Sequence, residues 1–228
     1  GDALSHTALA GVGMGLILGF DPLLGSSIVC IVAAFLIELI RKKLPQYGDM
    51  ATAVIMSTGL GIAAILSDFA PGGNSFESYL FGSISSVTST DIINTSLVFI
   101  FVIILSVSRY SALLAIAIDP NTARLSGVKV QALDAVFTLL AAITIALSVK
   151  IIGALMVTSL IVLPVATALI VAKSYKQTFF ITTILGVIYM MVGIIMSYNF
   201  DIKPGGAIVV NAILGMAIFA LYKKISKK

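Results

Sequence analysis

The stretch Asp21–Pro45, DPLLGSSIVCIVAAFLIELIRKKLP, decides the fold. Residues 23–40 carry one charge, Glu38, and the run then closes on Arg41, Lys42 and Lys43. An apolar run of this length matches the ~20 residues that cross a hydrocarbon core as a helix. Backbone polar groups find no partners in lipid, so such a span must be helical. Asp21-Pro22 before the run and Leu44-Pro45 after it supply the turns.

Working outward, the same punctuation recurs. It predicts an all-α membrane protein of about eight spans, near 2–19, 23–40, 50–67, 91–108, 133–149, 151–172, 178–197 and 205–222. Further breaks fall at Ala70-Pro71-Gly72-Gly73-Asn74, Asp119-Pro120 and Lys203-Pro204-Gly205-Gly206. Residues 1–228 read as a single transmembrane domain. The chain opens on Gly1 with no charged leader, and an upstream segment is expected before it. Composition agrees: 59% of residues are hydrophobic and 11% charged, against about 25% charged in soluble domains.

The net charge of +4 has a topological explanation. With the first span starting on the cytoplasmic side, alternation puts Arg41, Lys42, Lys43, Arg109, Arg124, Lys129, Lys173, Lys176, Lys223, Lys224, Lys227 and Lys228 inside. Only Lys150 and Lys203 fall outside. The basic clusters sit between apolar runs without interleaved aromatics, which argues against a nucleic-acid partner. Lipid is the expected surrounding, in a multi-pass cell membrane of prokaryotic type. Cys30 is the only cysteine, so no intrachain disulfide is possible.

Two segments are not plain spans. Residues 75–90, SFESYLFGSISSVTST, are short and polar-flanked and are expected to form a re-entrant or interfacial element on the outer side. Residues 110–132 form a long inner loop. Within it Asp119 can cap a short helix with Pro120 at its first position, and Gly127 can end it. Gly11, Gly15 and Gly19, and Gly59 with Gly61, read as close-packing positions.

Ionisable groups inside spans point to function, because a charge in the bilayer is costly. Asp2 and His6 share one helical face at i and i+4, and His6 is the only histidine. A carboxylate and an imidazole make half of a site for Zn²⁺ or Mn²⁺; a proton relay and a structural Asp–His contact are the other readings. Glu38 can pair with Arg41 or Lys42, Asp134 suits the start of the fifth span, and Pro164 predicts a kink in the sixth. No G-x-x-x-x-G-K-[ST] loop, H-E-x-x-H motif or cysteine pair occurs, so neither ATP binding by that loop nor a zinc metalloenzyme is supported.

GDALSH with TALAGVGMG resembles the permease subunits of zinc/manganese-type ABC importers. ESYLFGSI, DPNTARLSGV, IIGALMVTSLIVLPVATA and KPGG follow in the order that family has, over nearly the whole chain. The resemblance implies a two-fold homodimer, cytoplasmic ATP-binding subunits on separate chains and an extracytoplasmic metal-binding protein. It implies that Asp2 and His6 contact the ion along the path. It also implies that Asp119, Pro120, Arg124 and Gly127 belong to the helix that docks on the ATPase. The subunit itself would catalyse no reaction and hold no permanent cofactor; Zn²⁺, or Mn²⁺, would be its cargo, with the motifs leaning to zinc. The rival reading is an ion-coupled secondary carrier that uses Asp2–His6 as a proton relay.

Overall fold

The computed structural model describes residues 1–70, 73–83 and 87–226. Pro71 and Gly72 of a predicted break, 84–86 of segment 75–90, and Lys227 and Lys228 lie outside them. The described residues hold eleven α-helices: α1 Asp2–Leu18, α2 Pro22–Lys43, α3 Gly48–Phe69, α4 Gly73–Phe81, α5 Ser89–Ser108, α6 Tyr110–Ile118, α7 Pro120–Leu125, α8 Val130–Ile152, α9 Ala154–Val171, α10 Tyr175–Phe200 and α11 Pro204–Ser226. One 3₁₀ turn, Pro45–Tyr47, joins α2 to α3.

A helix lies at each of the eight predicted positions. Six of them, α2, α3, α5, α8, α10 and α11, are long and apolar enough to cross a membrane. Asp2–Leu18, at 17 residues, is shorter, and α9, Ala154–Val171, has 18 residues with Pro164 inside it. The count of eight full spans is therefore not established. The chain shortens α9 by a sharp turn. Gly153, at φ 93° and ψ 143°, separates α8 from α9, so Ile151 and Ile152 end α8 instead of opening the next helix.

Local chemistry sets the ends. Asp21 caps α2 by accepting from the Leu23 amide at 2.9 Å, with Pro22 at the first helical position. Thr88 and Asp91 form a capping box at α5. Ser174 accepts from the Gln177 amide at α10, while Gln177 accepts from the Lys173 amide. Asp134 does not open its helix: α8 starts at Val130, and Asp134 sits in its second turn. Glu38 pairs with Lys42 as expected.

α1 is the most central helix, with eleven of its seventeen residues buried against α2, α3, α8 and α9. Helices in lipid associate by close packing instead of by apolar transfer, so small residues matter. A Cβ on Gly11 would lie 2.4 Å from the Gly25 carbonyl oxygen, one on Gly15 2.8 Å from Pro22, and one on Gly59 2.5 Å from Thr7. Gly19 and Gly61 have open space instead; Gly19 serves as the left-handed end of α1, and nothing in the structure explains Gly61.

Among the described residues there are two cores. The larger joins α1, α2, α3, α4 and α8, and takes Ala154 and Val157 from the start of α9. The smaller joins α10 and α11 around Leu185, Tyr189 and Ala212, with Leu163 of α9 packed on it. Pro164 is fully buried where α9 passes from one core to the other.

Segment 75–90 forms no span. Its first described part lies in α4, too short to cross, whose Phe76 enters the larger core beside Gly13, and Thr88 with Ser89 and Thr90 starts α5. Beyond α4, Gly82 meets Gly153 and Ile152, and Gly205 at the start of α11 meets Ile152 and Phe81. The two lysines away from the basic end flank this junction. Lys150 pairs with buried Asp91 at 2.6 Å, and Lys203 lies 4.0 Å from the Phe81 ring centroid.

Candidate functional site

Asp2 opens α1, and its side chain is 53% exposed. His6 follows one turn later, with 16% exposure. His6 Nε2 lies 3.5 Å from Asp2 Oδ1, too long for a hydrogen bond but within reach of one bound ion. His6 Nδ1 is buried and has no hydrogen-bond partner. A metal on Nε2 needs the proton on Nδ1, and ligating histidines usually pass that proton to an acceptor. No such acceptor meets Nδ1 among the described residues.

A second helix completes the surroundings. The Thr158 hydroxyl on α9 donates to Asp2 Oδ1 at 2.9 Å. Ser5 Oγ donates to the Asp2 carbonyl at 2.7 Å and lies 3.2 Å from Thr158 Oγ1. Each hydroxyl has one proton, so with both committed to Asp2 the Ser5–Thr158 contact carries no third bond. Among the described residues, no group of three or more His, Cys, Asp or Glu side chains could hold a metal. The pair is thus half a coordination shell. A tight site needs more donors, from water, a partner or a second copy.

The helix ends set this pair far from the Gly19 corner. Asp2 lies about 24 Å along α1 from Leu18, whereas Thr158 lies only about 6 Å along α9 from Ala154. Because the two residues touch, the Gly153 corner is sunk well below the Gly19 corner. α4 runs into the hollow this leaves, from Phe76 at Gly13 to Gly82 at Gly153.

The second predicted cluster forms a small capped helix. Asp119 accepts from the Asn121 amide at 2.9 Å and the Thr122 hydroxyl at 2.5 Å, and these bonds hold its carboxyl below the usual carboxylate range. Pro120 is the first residue of α7. Gly127, at φ 83°, closes the helix: its amide donates to Arg124 O, and the Val128 amide to Ala123 O, the paired bonds of a Schellman end. Ala123 is buried and anchors α7, while Arg124 and Leu125 face outward, Leu125 at 89% exposure. The loop expected over 110–132 also holds α6, an apolar helix set off from α5 by Arg109. A hollow of about 450 Å³ beside α7 is lined by Arg124, Val128, Lys129 and Gln131 among others.

The structure thus keeps Asp2 with His6, and Asp119 with Pro120, Arg124 and Gly127. It adds Thr158 and Ser5, which the reading of separate motifs had not connected. The one available signal was a hydroxyl residue within the apolar run IIGALMVTSLIVLPVATA.

Long apolar helices packed around α1, with a half-formed polar pair at its start and a short capped helix at α7, define a multi-pass helical membrane protein. Residues 1–224 match the ABC 3 transport family, and the chain belongs to that family. It is 27% identical to the manganese transport system membrane protein MntC of Listeria innocua, over 97% of this chain and 79% of that one. It is 26% identical to the high-affinity zinc uptake system membrane protein ZnuB of Haemophilus influenzae, over 98% and 86%. Among solved structures, PsaBC from Streptococcus pneumoniae in complex with Fab matches at TM-score 0.84 and 26% identity, covering 99% of this chain and 83% of that one. The chain is accordingly a multi-pass cell-membrane permease of a metal ABC transporter family.

Proposed function

We propose that this chain is the membrane path of an ATP-driven importer of divalent transition-metal ions, zinc or manganese. The observation that carries the reading is the Asp2–His6 pair, at the start of the most central helix of a chain of this family. One carboxylate and one imidazole suit either ion, and relatives are named for both metals. Two permease copies would bring two such pairs to a shared axis. An external binding protein would deliver the ion, and ATPase subunits docked at α7 would drive the change of access. No finding favours the proton-coupled carrier.

The test is uptake of radioactive Zn²⁺ and Mn²⁺ by proteoliposomes holding the permease with its ATPase and binding protein. Uptake is expected to require ATP and to survive collapse of the proton gradient. Uptake that ignores ATP and follows the gradient overturns the reading. Competition between the two ions in this assay assigns the cargo.

Docking has its own signature. Arg124→Glu reverses an exposed charge on α7 without touching its caps. It is expected to reduce co-purification of the ATPase at least about tenfold, as removal of a well-placed charged contact does. Wild-type recovery of the ATPase would remove α7 from the interface.

A further inference from the structure

We infer that Thr158 is a positioning residue for the Asp2 carboxylate, setting how well the path binds its ion. The inference rests on the proposed ion path and adds to it a residue on a different helix.

The observation is a long-range bond where other threonine hydroxyls bond locally. Six other helical threonines, Thr52, Thr58, Thr144, Thr167, Thr178 and Thr183, donate their hydroxyl proton to the carbonyl four residues back. That bond is the local default for a threonine in a helix. Thr158 gives its proton instead to a carboxylate 156 residues away. A hydrogen bond to a charged acceptor is worth more than one to a carbonyl, so the exchange is favourable.

The bond has a geometric effect. Asp2 sits in the first turn of α1 and is half-exposed, so packing alone does not fix its rotamer. Thr158 holds Oδ1 on the side facing His6, 3.5 Å from Nε2. Among the described residues no donor but Thr158 meets the carboxylate, so lone pairs on Oδ1 and Oδ2 stay free for an ion beside His6 Nε2. Thr158 is therefore to Asp2 what an outer-shell partner is to a metal ligand: it touches the ligand and keeps it aimed. Removing such partners typically costs 10–100-fold in metal affinity. The bond also joins helices whose remaining packing differs. α1 belongs wholly to the larger core, whereas α9 continues past Pro164 into the smaller one. Thr158 itself sits beside Val157, in the end of α9 that packs with α1 in the larger core, so the bond is held by that shared packing.

The experiment compares Thr158→Val, Thr158→Ser and Asp2→Ala in the reconstituted transporter with ATPase and binding protein, measuring uptake of Zn²⁺ and Mn²⁺ over a range of concentrations. Valine keeps the shape and removes the donor. Its Ser5 neighbour keeps its own bond to the Asp2 carbonyl. Thr158→Val is expected to raise the metal concentration for half-maximal uptake about 10–100-fold while the maximal rate stays within about twofold, and Thr158→Ser to restore most of the affinity. A purely structural role would lower the yield and maximal rate together and leave the half-maximal concentration unchanged; that outcome overturns the inference. Unchanged uptake by Thr158→Val beside an inactive Asp2→Ala overturns it too, while leaving the ion path intact. Normal uptake by Asp2→Ala removes the path, and the role of Thr158 with it.

Discussion

Asp2→Ala and His6→Ala are each expected to reduce ATP-driven metal uptake by at least about 100-fold, with the transporter still assembled at normal yield. Loss of an outer-shell group costs 10–100-fold, so loss of a direct ligand should cost no less. A protomer offers two such ligands, and among its described residues no third acidic, histidine or cysteine group clusters with them, so no spare donor compensates. Assembly should survive for a structural reason. The Asp2 side chain is half-exposed and lies in the first turn of α1, while the contacts that hold α1 come from Leu4, Ala8, Leu9 and Val12. Asp2→Asn sharpens the result. The amide oxygen can still accept from Thr158, but the negative charge that attracts a cation is gone. Uptake by Asp2→Asn near the alanine level assigns the loss to charge. Recovery to near wild type assigns it to the hydrogen bond alone. Normal uptake by both alanine variants would sink the ion-path assignment.

The positions of the main helices were legible because lipid imposes one simple pattern: long apolar stretches ended by charge, Pro or Gly. Their ends were less so. Asp134 resembles a helix opener, yet α8 begins four residues earlier at Val130. Ile151 belongs to α8 because the break is one residue, Gly153, with no charge beside it. α6 did not stand out from the inner loop because a nine-residue helix carries too little periodicity, and α4 falls mostly in a segment expected as an interfacial or re-entrant element. The site divides in the same way. Asp2 and His6 were visible as a pair because they lie one turn apart, and the ends of α7 because caps are local chemistry. The bonds from Thr158 to Asp2 and from Lys150 to Asp91 span 156 and 59 positions. Nothing in either segment alone says that it meets the other.

The junction of Gly82, Gly153 and Gly205 yields the other large effect. Gly153→Ala is expected to destabilise the permease by roughly 3 kcal/mol or more, adding backbone strain at a position reserved for glycine to the cost of a forced overlap. Both causes are visible. At φ 93° and ψ 143° a Cβ is disfavoured whatever the surroundings. Here it would also stand 2.4 Å from the Gly82 amide nitrogen and the Phe81 carbonyl carbon. Those atoms are backbone and cannot swing aside. Any relief must move α4 away from the α8–α9 corner, and that corner starts the helix carrying Thr158. Gly205→Ala should cost less, about 1–3 kcal/mol, because its backbone φ is ordinary and its closest backbone contact, the Ile152 carbonyl oxygen at 2.9 Å, is looser than the 2.4 Å contacts at Gly153. Gly206→Ala is the control. It is helical with nothing within 4 Å of the added methyl, so the change should be neutral or stabilising by up to about 1 kcal/mol. The measurement is the thermal midpoint and monodisperse yield of each variant in detergent. The order Gly206→Ala above Gly205→Ala above Gly153→Ala is the expected result. A Gly153→Ala protein as stable as wild type would show that α4 does not hold the corner. The close approach of the three segments would then be incidental to the fold, and the sunken α9 that brings Thr158 to Asp2 would need another support.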